Sequence, residues 1–535
     1  MDELFVGLVV FFLTMLVMWA RSRLQALSTF KRMSIPGPKP SFFYGNTDEA
    51  WSQKKPWLAV DKWYKEHGRI FGCFPMGIRP TMVVGDPEML KEILIKNFSN
   101  FRNRPALGPP RGEPGASSLT TLRGERWKRV RNVISPTFTS KKLRQMSDGM
   151  TSAASTFTAL LQKQTEEKNS FDIYGMFQAL TLDVIAQAAF ALKVDSQTNP
   201  DDALLTVCRA LFKSFFGPMM KALLLFPELG ACFGALLRAR STATAKEFYV
   251  ITHMKEVLSE RQKNPGLKGN DMIQLMMDAT DDIQVDLAKA RVSVNMPSHD
   301  GPGAPEGTMR LSRTMTKLKS SKYLTENELI ANCFVFLLAG YETTANALAF
   351  TTYLLAKHPE IQEKLHDVIV AAMDTAENVS FEDSAAKLPY LDAIIKESLR
   401  LFPPITGFVM RECGEECRVN GIVIPAGMAI HVPVWSLHHD PEFWPDPYTF
   451  NPERFMPENA SKIQPMTFMA FGEGPRNCIG LSFALMEIRI TLAMTLRKFR
   501  IKPPSGQYEL DLESPFVTMN PKNGVIVELE ERKLD

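Results

Sequence analysis

The chain has 535 residues, 45% of them hydrophobic and 23% charged, with a formal net charge of +3. That is the balance of a globular protein with ample length for a large core. Charge so near neutrality, with no basic stripe carrying interleaved aromatics, argues against nucleic acid as a partner. Seven scattered cysteines, an odd number, do not make a disulfide scaffold, and no pair of C-x-x-C elements points to zinc. The nearest pair, Cys413 and Cys417, lies in RECGEECRVNG with no histidine nearby, which is a poor basis for a metal site. A reducing compartment fits this usage.

In chain order, Asp2 and Glu3 precede the uncharged run LFVGLVVFFLTMLVMWA, Leu4 to Ala20, and Arg21, Arg23, Lys31 and Arg32 follow it. Seventeen residues at about 1.5 Å each reach about 26 Å, just short of the hydrocarbon core of a bilayer. Snorkelling by Arg21 and an interfacial Trp19 close the gap. A cleaved signal would carry its positive charge before the apolar run, whereas here the charge follows it. The expectation is an uncleaved single-pass anchor over residues 1–22, N-terminus in the lumen, with the catalytic body in the cytosol.

A basic, proline-rich linker is expected over 23–40, because the prolines of IPGPKP (Ile35 to Pro40) fix φ and resist helix formation. RPTMVVGDPEML reads as a short strand, a turn and a helix start. Most of the remainder shows helical periodicity, and strand-like runs such as GIVIPAGMAIHVPV (Gly421 to Val434) are few. The chain is read as mainly α with small β-sheets. Residues 215–226, FFGPMMKALLLF, are unusually apolar around a Gly-Pro break, and read either as core or as a second membrane contact. Residues 294–321, rich in Gly, Pro, Ser and basic side chains, read as a flexible surface loop. Chemistry-bearing motifs fall on both sides of that loop, so 41–535 is taken as one domain.

A long helix is expected to start near Glu326, where Thr325 and Glu328 form a capping box, and to end at Pro359. Leu329 to Gly340 carries no charge and belongs in a core. Within it, the Thr343 hydroxyl can bond the Ala339 carbonyl and loosen a turn. Glu397 and Arg400, at i and i+3, can pair on one helix face. Trp127 and Arg131, at i and i+4, face the same way. The strongest signal is Phe471-Gly-Glu-Gly-Pro-Arg-Asn-Cys-Ile-Gly480, directly before a helix. Its glycines allow tight turns and close approach to a flat ligand. Its Cys478 enters the helix N-terminus, where exposed N–H groups and the dipole favour a thiolate.

This decamer matches the cytochrome P450 haem-binding signature F-x-x-G-x-R-x-C-x-G at Phe471, Gly474, Arg476, Cys478 and Gly480. The chain beyond the anchor resembles that family throughout. The resemblance implies the cytochrome P450 fold and haem b, with Cys478 as the axial ligand of its iron. Ala339-Gly-Tyr-Glu-Thr-Thr344 resembles the family's oxygen-activating motif. It implies that Gly340 makes room for dioxygen and that Thr343 and Glu342 are catalytic and deliver protons. Glu397, Arg400 and Arg454 match a structural triad. Trp127, Arg131, Arg411, Arg476 and Arg104 match haem-propionate contacts, and Arg126, Lys128 and Arg129 would then face an acidic electron donor. Pocket positions implied by the resemblance are Ile405 to Phe408, Ser514 to Thr518 and residues around Ala106 to Leu119.

The sequence is most similar to the branch joining drug- and steroid-oxidising monooxygenases with thromboxane synthase. Ser135-Pro-Thr-Phe-Thr-Ser140 resembles the former, and Pro521-Lys-Asn-Gly-Val525 and the long basic loop resemble the latter. The first expectation is a monooxygenase of the endoplasmic reticulum membrane. It would insert one oxygen atom of O2 into an apolar lipid, steroid or xenobiotic, with electrons from NADPH through NADPH–cytochrome P450 reductase and with cytochrome b5 as a further partner. The alternatives are an isomerase of a prostaglandin endoperoxide and a non-catalytic haem-binding membrane protein. In the isomerases an aliphatic residue replaces the alcohol held here by Thr343.

Overall fold

The structure is a computed structural model that describes residues 2–51, 54–106, 112–167, 170–190, 192, 194–214, 218–226, 242–264, 271–278, 323–374, 388–506, 508–514 and 517–533. The stretch expected as a loop, 294–321, lies outside them. The first helix, α1 (Asp2–Leu27), carries its apolar run with no buried residues in its most hydrophobic window. It runs seven residues beyond the apolar segment before the chain turns.

The stretch expected as a linker is packed against the body instead. Arg23 is 1% exposed. Its guanidinium donates to Phe42 O at 2.7 Å, to Phe43 O and to Leu225 O at 3.1 Å, and it lies near the rings of Trp19, Phe42 and Phe226. Phe30 is buried in a cluster with Phe74, Met82 and Val84, and the Gly72 N–H donates to Pro36 O at 2.9 Å. A guanidinium that finds carbonyl acceptors and aromatic faces can be buried where a bare charge cannot. Leu223 and Leu224 are buried, so this part of the 215–226 run packs as core; residues 215–217 lie outside the described residues.

Helices that follow are α2 (Pro56–His67), α3 (Gly124–Ile134), α4 (Ser140–Glu167), α5 (Ile173–Phe190), α6 (Ala203–Ser214), α7 (Pro218–Leu225) and α8 (Thr242–Lys263). The longest is α9 (Glu326–Lys357), 32 residues, capped as expected: Glu328 N–H donates to Thr325 Oγ1 at 3.3 Å, and Thr325 N–H to Glu328 Oε2 at 2.9 Å. Glu326–Lys357 is apolar and long enough to span a bilayer, but 72% of its most apolar window is buried, as befits a core helix. It is followed by α10 (Pro359–Asp374), α11 (Pro389–Leu401) and α12 (Leu481–Lys498).

The strands are short. β1 (Ile70–Cys73), β2 (Thr81–Val84), β4 (Met410–Glu412) and β7 (Ala429–His431) form a sheet in the order β1-β2-β7-β4, parallel only between β2 and β7. β5 (Cys417–Val419) and β6 (Ile422–Ile424) pair antiparallel. β3 (Phe171–Asp172) and β8 (Phe499–Lys502) flank β11 (Ile526–Glu531), and β9 (Leu512–Glu513) pairs β10 (Asn520–Pro521). This is the mainly α architecture with small sheets that the periodicities predict.

The pairing expected on α11 is fully buried. Arg400 Nε and Nη2 donate to Glu397 at 2.7 and 2.8 Å, and Arg400 Nη1 to His438 O and Pro447 O, each at 2.7 Å. Arg454 Nε stands 3.4 Å from Glu397 Oε1, and the Asn451 N–H donates to the same oxygen at 3.0 Å. Glu397 therefore ties α11 to the segment leading into the Cys478 loop. Glu397→Ala would strand the Arg400 charge, a loss typically worth about 3–5 kcal/mol. Urea unfolding of the variant is expected to show a loss of that size, and a loss below about 1 kcal/mol, the value of a surface pair, would contradict it.

Candidate active site

The loop before α12 is built by its glycines. Gly472 and Gly474 hold φ at +68° and +76°, and a Cβ on Gly474 would lie 2.1 Å from Leu94 O. Only glycine meets both demands. The turn is closed by Cys478 N–H donating to Phe471 O at 2.9 Å. The Cys478 side chain is accessible, yet it is enclosed by protein: burial pushes its thiol up, while the Gly480 backbone N–H and the Arg131 and Arg104 charges pull it down. An accessible sulfur inside the protein, facing cations and an N–H group, is placed to bind a soft metal.

Around it gather four guanidinium groups that burial pulls below the ordinary arginine range: Arg104, Arg131, Arg411 to about 10 and Arg476 to about 9. Arg104 is lowered further by Arg476, Arg411 and Arg131, and Arg476 by Arg411, Arg123 and Arg131. Among the described residues no carboxylate pairs with any of the four. Arg476 donates to the carbonyls of Arg102 at 2.6 Å and Leu122 at 2.7 Å and lies 4.8 Å from the Trp127 ring centre. Arg411 donates to Met410 O at 2.8 Å, Arg131 to Asn477 O at 3.0 Å, and Arg104 stacks on Phe408 at 4.3 Å. The Nε atoms of Arg104, Arg411 and Arg476 are buried without a hydrogen-bond partner.

Since arginine does not deprotonate in proteins, this cluster calls for anionic oxygens. The two carboxylates of haem b, with Cys478 sulfur for its iron, fit that donor set. Five basic and aromatic positions expected from sequence, Trp127, Arg131, Arg411, Arg476 and Arg104, thus converge near Cys478. Trp127 itself is 3% exposed and packs against Phe98.

On α9, Val335, Leu338, Ala339 and Thr343, spaced three or four apart, form an accessible stripe in a stretch otherwise buried except for Gly340. Thr343 Oγ1 donates to Ala339 O at 2.5 Å, the back-bond expected from sequence. Gly340 does not point into that stripe: a Cβ there would meet Ile185 Cδ1 at 2.9 Å, so the glycine serves the close packing of α9 on α5. One helical residue rotates a side chain by about 100°, which turns the space expected beside Gly340 toward α5.

The same rotation sends Glu342 to a buried cage. Its carboxyl accepts from Tyr174 OH at 2.6 Å, Gln178 Nε2 at 3.1 Å and Asn520 Nδ2 at 2.9 Å, and Arg209 donates to Gln178 Oε1 at 3.0 Å. Burial pushes the Glu342 carboxyl up, against the downward pull of these partners and of Arg209. Tyr174, Gln178, Arg209 and Asn520 were not singled out in the sequence. Tyr174 and Gln178 lie four apart on α5, the only local signal available.

The basic face of α3 also differs from expectation. Arg126 Nε and Arg129 Nη2 both bond Glu328 Oε1, at 2.7 and 2.6 Å, in the cap of α9. Burial raises the Glu328 carboxyl, but the Thr325 N–H and these two arginines outweigh it and hold it below the usual range. Arg129 is therefore committed to the fold, Arg126 is half-exposed, and Lys128 remains exposed.

Fold and site together define a haem-thiolate enzyme. The cytochrome P450 family model matches residues 35–297 and 306–527. The chain is 33% identical to thromboxane-A synthase of Mus musculus over 518 residues, covering 95% of this chain and 94% of that one. It is 34% identical to cytochrome P450 3A9 of Rattus norvegicus (89% and 86% covered) and 35% identical to cytochrome P450 3A31 of Mesocricetus auratus (91% and 89% covered). The chain belongs to the cytochrome P450 family and is a cytochrome P450 monooxygenase by that membership.

Proposed function

We propose that the protein inserts one oxygen atom of O2 into an apolar lipid, steroid or xenobiotic, with electrons from NADPH through NADPH–cytochrome P450 reductase and with cytochrome b5 as a second donor. The observation that carries this reading is Thr343, an alcohol kept on the accessible stripe of α9 where endoperoxide isomerisation has no use for one. Haem, when bound, supplies the redox chemistry of dioxygen. Cys478 holds its iron, Arg104, Arg131, Arg411 and Arg476 hold its carboxylates, and Trp127 backs Arg476. The Thr343 hydroxyl donates to Ala339 O, which leaves its oxygen free to accept from a water that would serve as a proton source on the stripe. Glu342 is the buried proton store of the same turn, oriented by Tyr174, Gln178 and Asn520.

Val335, Leu338 and Ala339 make the rest of that stripe apolar, which suits a greasy substrate. Of the other pocket positions, Ile405 pairs with Thr518 in an isolated bridge, and residues 107–111, 515 and 516 lie outside the described residues. Exposed Lys128 and half-exposed Arg126 on α3 suit an acidic electron donor.

The isomerase reading rests on the thromboxane-A synthase relatives. Turnover of a lipid panel that includes a prostaglandin endoperoxide, with and without NADPH and reductase, separates the two. Products that require both components support the monooxygenase; efficient NADPH-free rearrangement of the endoperoxide supports the isomerase.

The apolar, unburied α1 supports anchorage in the endoplasmic reticulum membrane, with the catalytic domain on the cytosolic side. Deleting Met1 to Ala20 is expected to move most of the protein from the membrane to the low-salt soluble fraction. Full retention on carbonate-washed membranes would contradict an anchoring role for α1.

A further inference from the structure

Two thiols outside the active site face one another across a short loop. Cys413 Sγ and Cys417 Sγ are 3.8 Å apart. Separate backbone bonds hold each residue there. Cys413 N–H donates to Met428 O at 3.0 Å, and Cys413 O accepts from Gly427 N–H at 2.7 Å. Cys417 sits opposite Ile424 in the β5–β6 pair, and the Cys413 sulfur lies 3.6 Å from Ile424 O. Asn100 closes the loop from outside: its amide donates to Glu415 O at 2.8 Å and accepts from Glu415 N–H at 2.7 Å, and its carbonyl accepts from Gly414 N–H at 2.8 Å. The pair is therefore imposed by the fold. No third Cys, His, Asp or Glu completes a metal-holding group with them among the described residues.

We propose that Cys413 and Cys417 are a reversible dithiol–disulfide site closed by a peroxide. A disulfide needs sulfurs at about 2.05 Å, so closure asks for less than about 2 Å of approach from two side chains already in contact. Cys413 is fully buried and Cys417 is partly exposed, which sets the order of events. The Cys417 thiolate attacks one oxygen of hydrogen peroxide; the O–O bond breaks, leaving a sulfenic acid on Cys417 and a hydroxide that leaves as water with the thiol's proton. The Cys413 sulfur then attacks the Cys417 sulfur, the S–O bond breaks, and the departing hydroxide takes the Cys413 proton as a second water. Two thiols and one peroxide give one disulfide and two waters, the sulfurs losing the two electrons that the peroxide gains.

Burial, with Cys417 beside it, pushes the Cys413 thiol up to about 12, so Cys413 is the resolving group rather than the first to react. Cys73, Cys208 and Cys333 are fully buried, and burial pushes all three up, so they are poor competitors for oxidant. In a reducing compartment such a bond lasts only while oxidant does.

The test uses the full-length protein in membranes. It is exposed to graded hydrogen peroxide, denatured, blocked with N-ethylmaleimide and digested with trypsin. Cleavage after Arg411 and Arg418 releases Glu412-Cys-Gly-Glu-Glu-Cys-Arg418, with both cysteines on one peptide. The expected product carries no maleimide, is lighter by two hydrogens, regains both labels after dithiothreitol, and appears at lower peroxide than any oxidation of Cys73, Cys208 or Cys333. In Cys417→Ser, Cys413 is expected to stay labelled at the same dose. The proposal is overturned if the wild-type peptide ends as a Cys417 sulfinic acid without a disulfide, or links instead to a second chain.

Discussion

Replacing Cys478 by serine is expected to abolish the long-wavelength absorption band of the reduced, carbon-monoxide-bound protein and to reduce turnover to background. A thiolate is a soft, electron-rich ligand whose donation sets that band, and a hydroxyl in its place is hard and poorly donating. Among the described residues the geometry leaves no substitute. Cys73, Cys208 and Cys333 are buried elsewhere, and Cys413 is turned toward Cys417. The loop itself should survive, because the Cys478 N–H bond to Phe471 O and the φ angles of Gly472 and Gly474 do not involve sulfur. Far-ultraviolet circular dichroism close to wild type would confirm that. Retention of the long-wavelength band in the folded variant would rule out Cys478 as the ligand.

Features set by short spacing were legible in the residues themselves, the grouping of distant arginines near Cys478 only through the family resemblance, and the remaining contacts between distant segments not at all. The Thr325–Glu328 cap and the Glu397–Arg400 pair lie three residues apart, so helix geometry alone brings them together. The Thr343 back-bond follows from the same local geometry. Arg126 and Arg129 meet Glu328 from about 200 positions away, and nothing in a run of basic residues on α3 announces a buried carboxylate at the head of another helix. Asn520 reaches Glu342 across 178 positions, and Arg23 reaches Leu225 across 202. Each bond satisfies a buried polar group, and each partner is chosen by packing rather than by local pattern. The Gly340 difference has another cause. Ala339, Gly340 and Tyr341 are consecutive on a helix, and which one faces the accessible stripe depends on a rotation that composition does not specify.

Thr343→Ala is the second large effect. The substitution deletes a hydroxyl whose own proton goes to Ala339 O and whose oxygen is free to hold water on the accessible stripe. Neither the helix nor the arginine cluster depends on it, so haem content and the carbon-monoxide band should be unchanged. Assistance of this general acid–base kind is worth about 10² to 10⁴ in rate. Product formation should fall within that range while NADPH oxidation continues, its electrons appearing as hydrogen peroxide or water. Thr343→Ser, which keeps the hydroxyl, should recover most of the coupling. Equal loss of product and NADPH oxidation in Thr343→Ala would instead indicate damage to substrate or electron entry.

The most direct measurement is isotopic. The reductase-reconstituted enzyme would be supplied with NADPH, an apolar substrate taken from the lipid panel and heavy-isotope dioxygen, and the product weighed. One heavy oxygen atom per product molecule, with no product when NADPH is omitted, is the predicted result. Product formed without NADPH and without heavy oxygen would contradict the monooxygenase account.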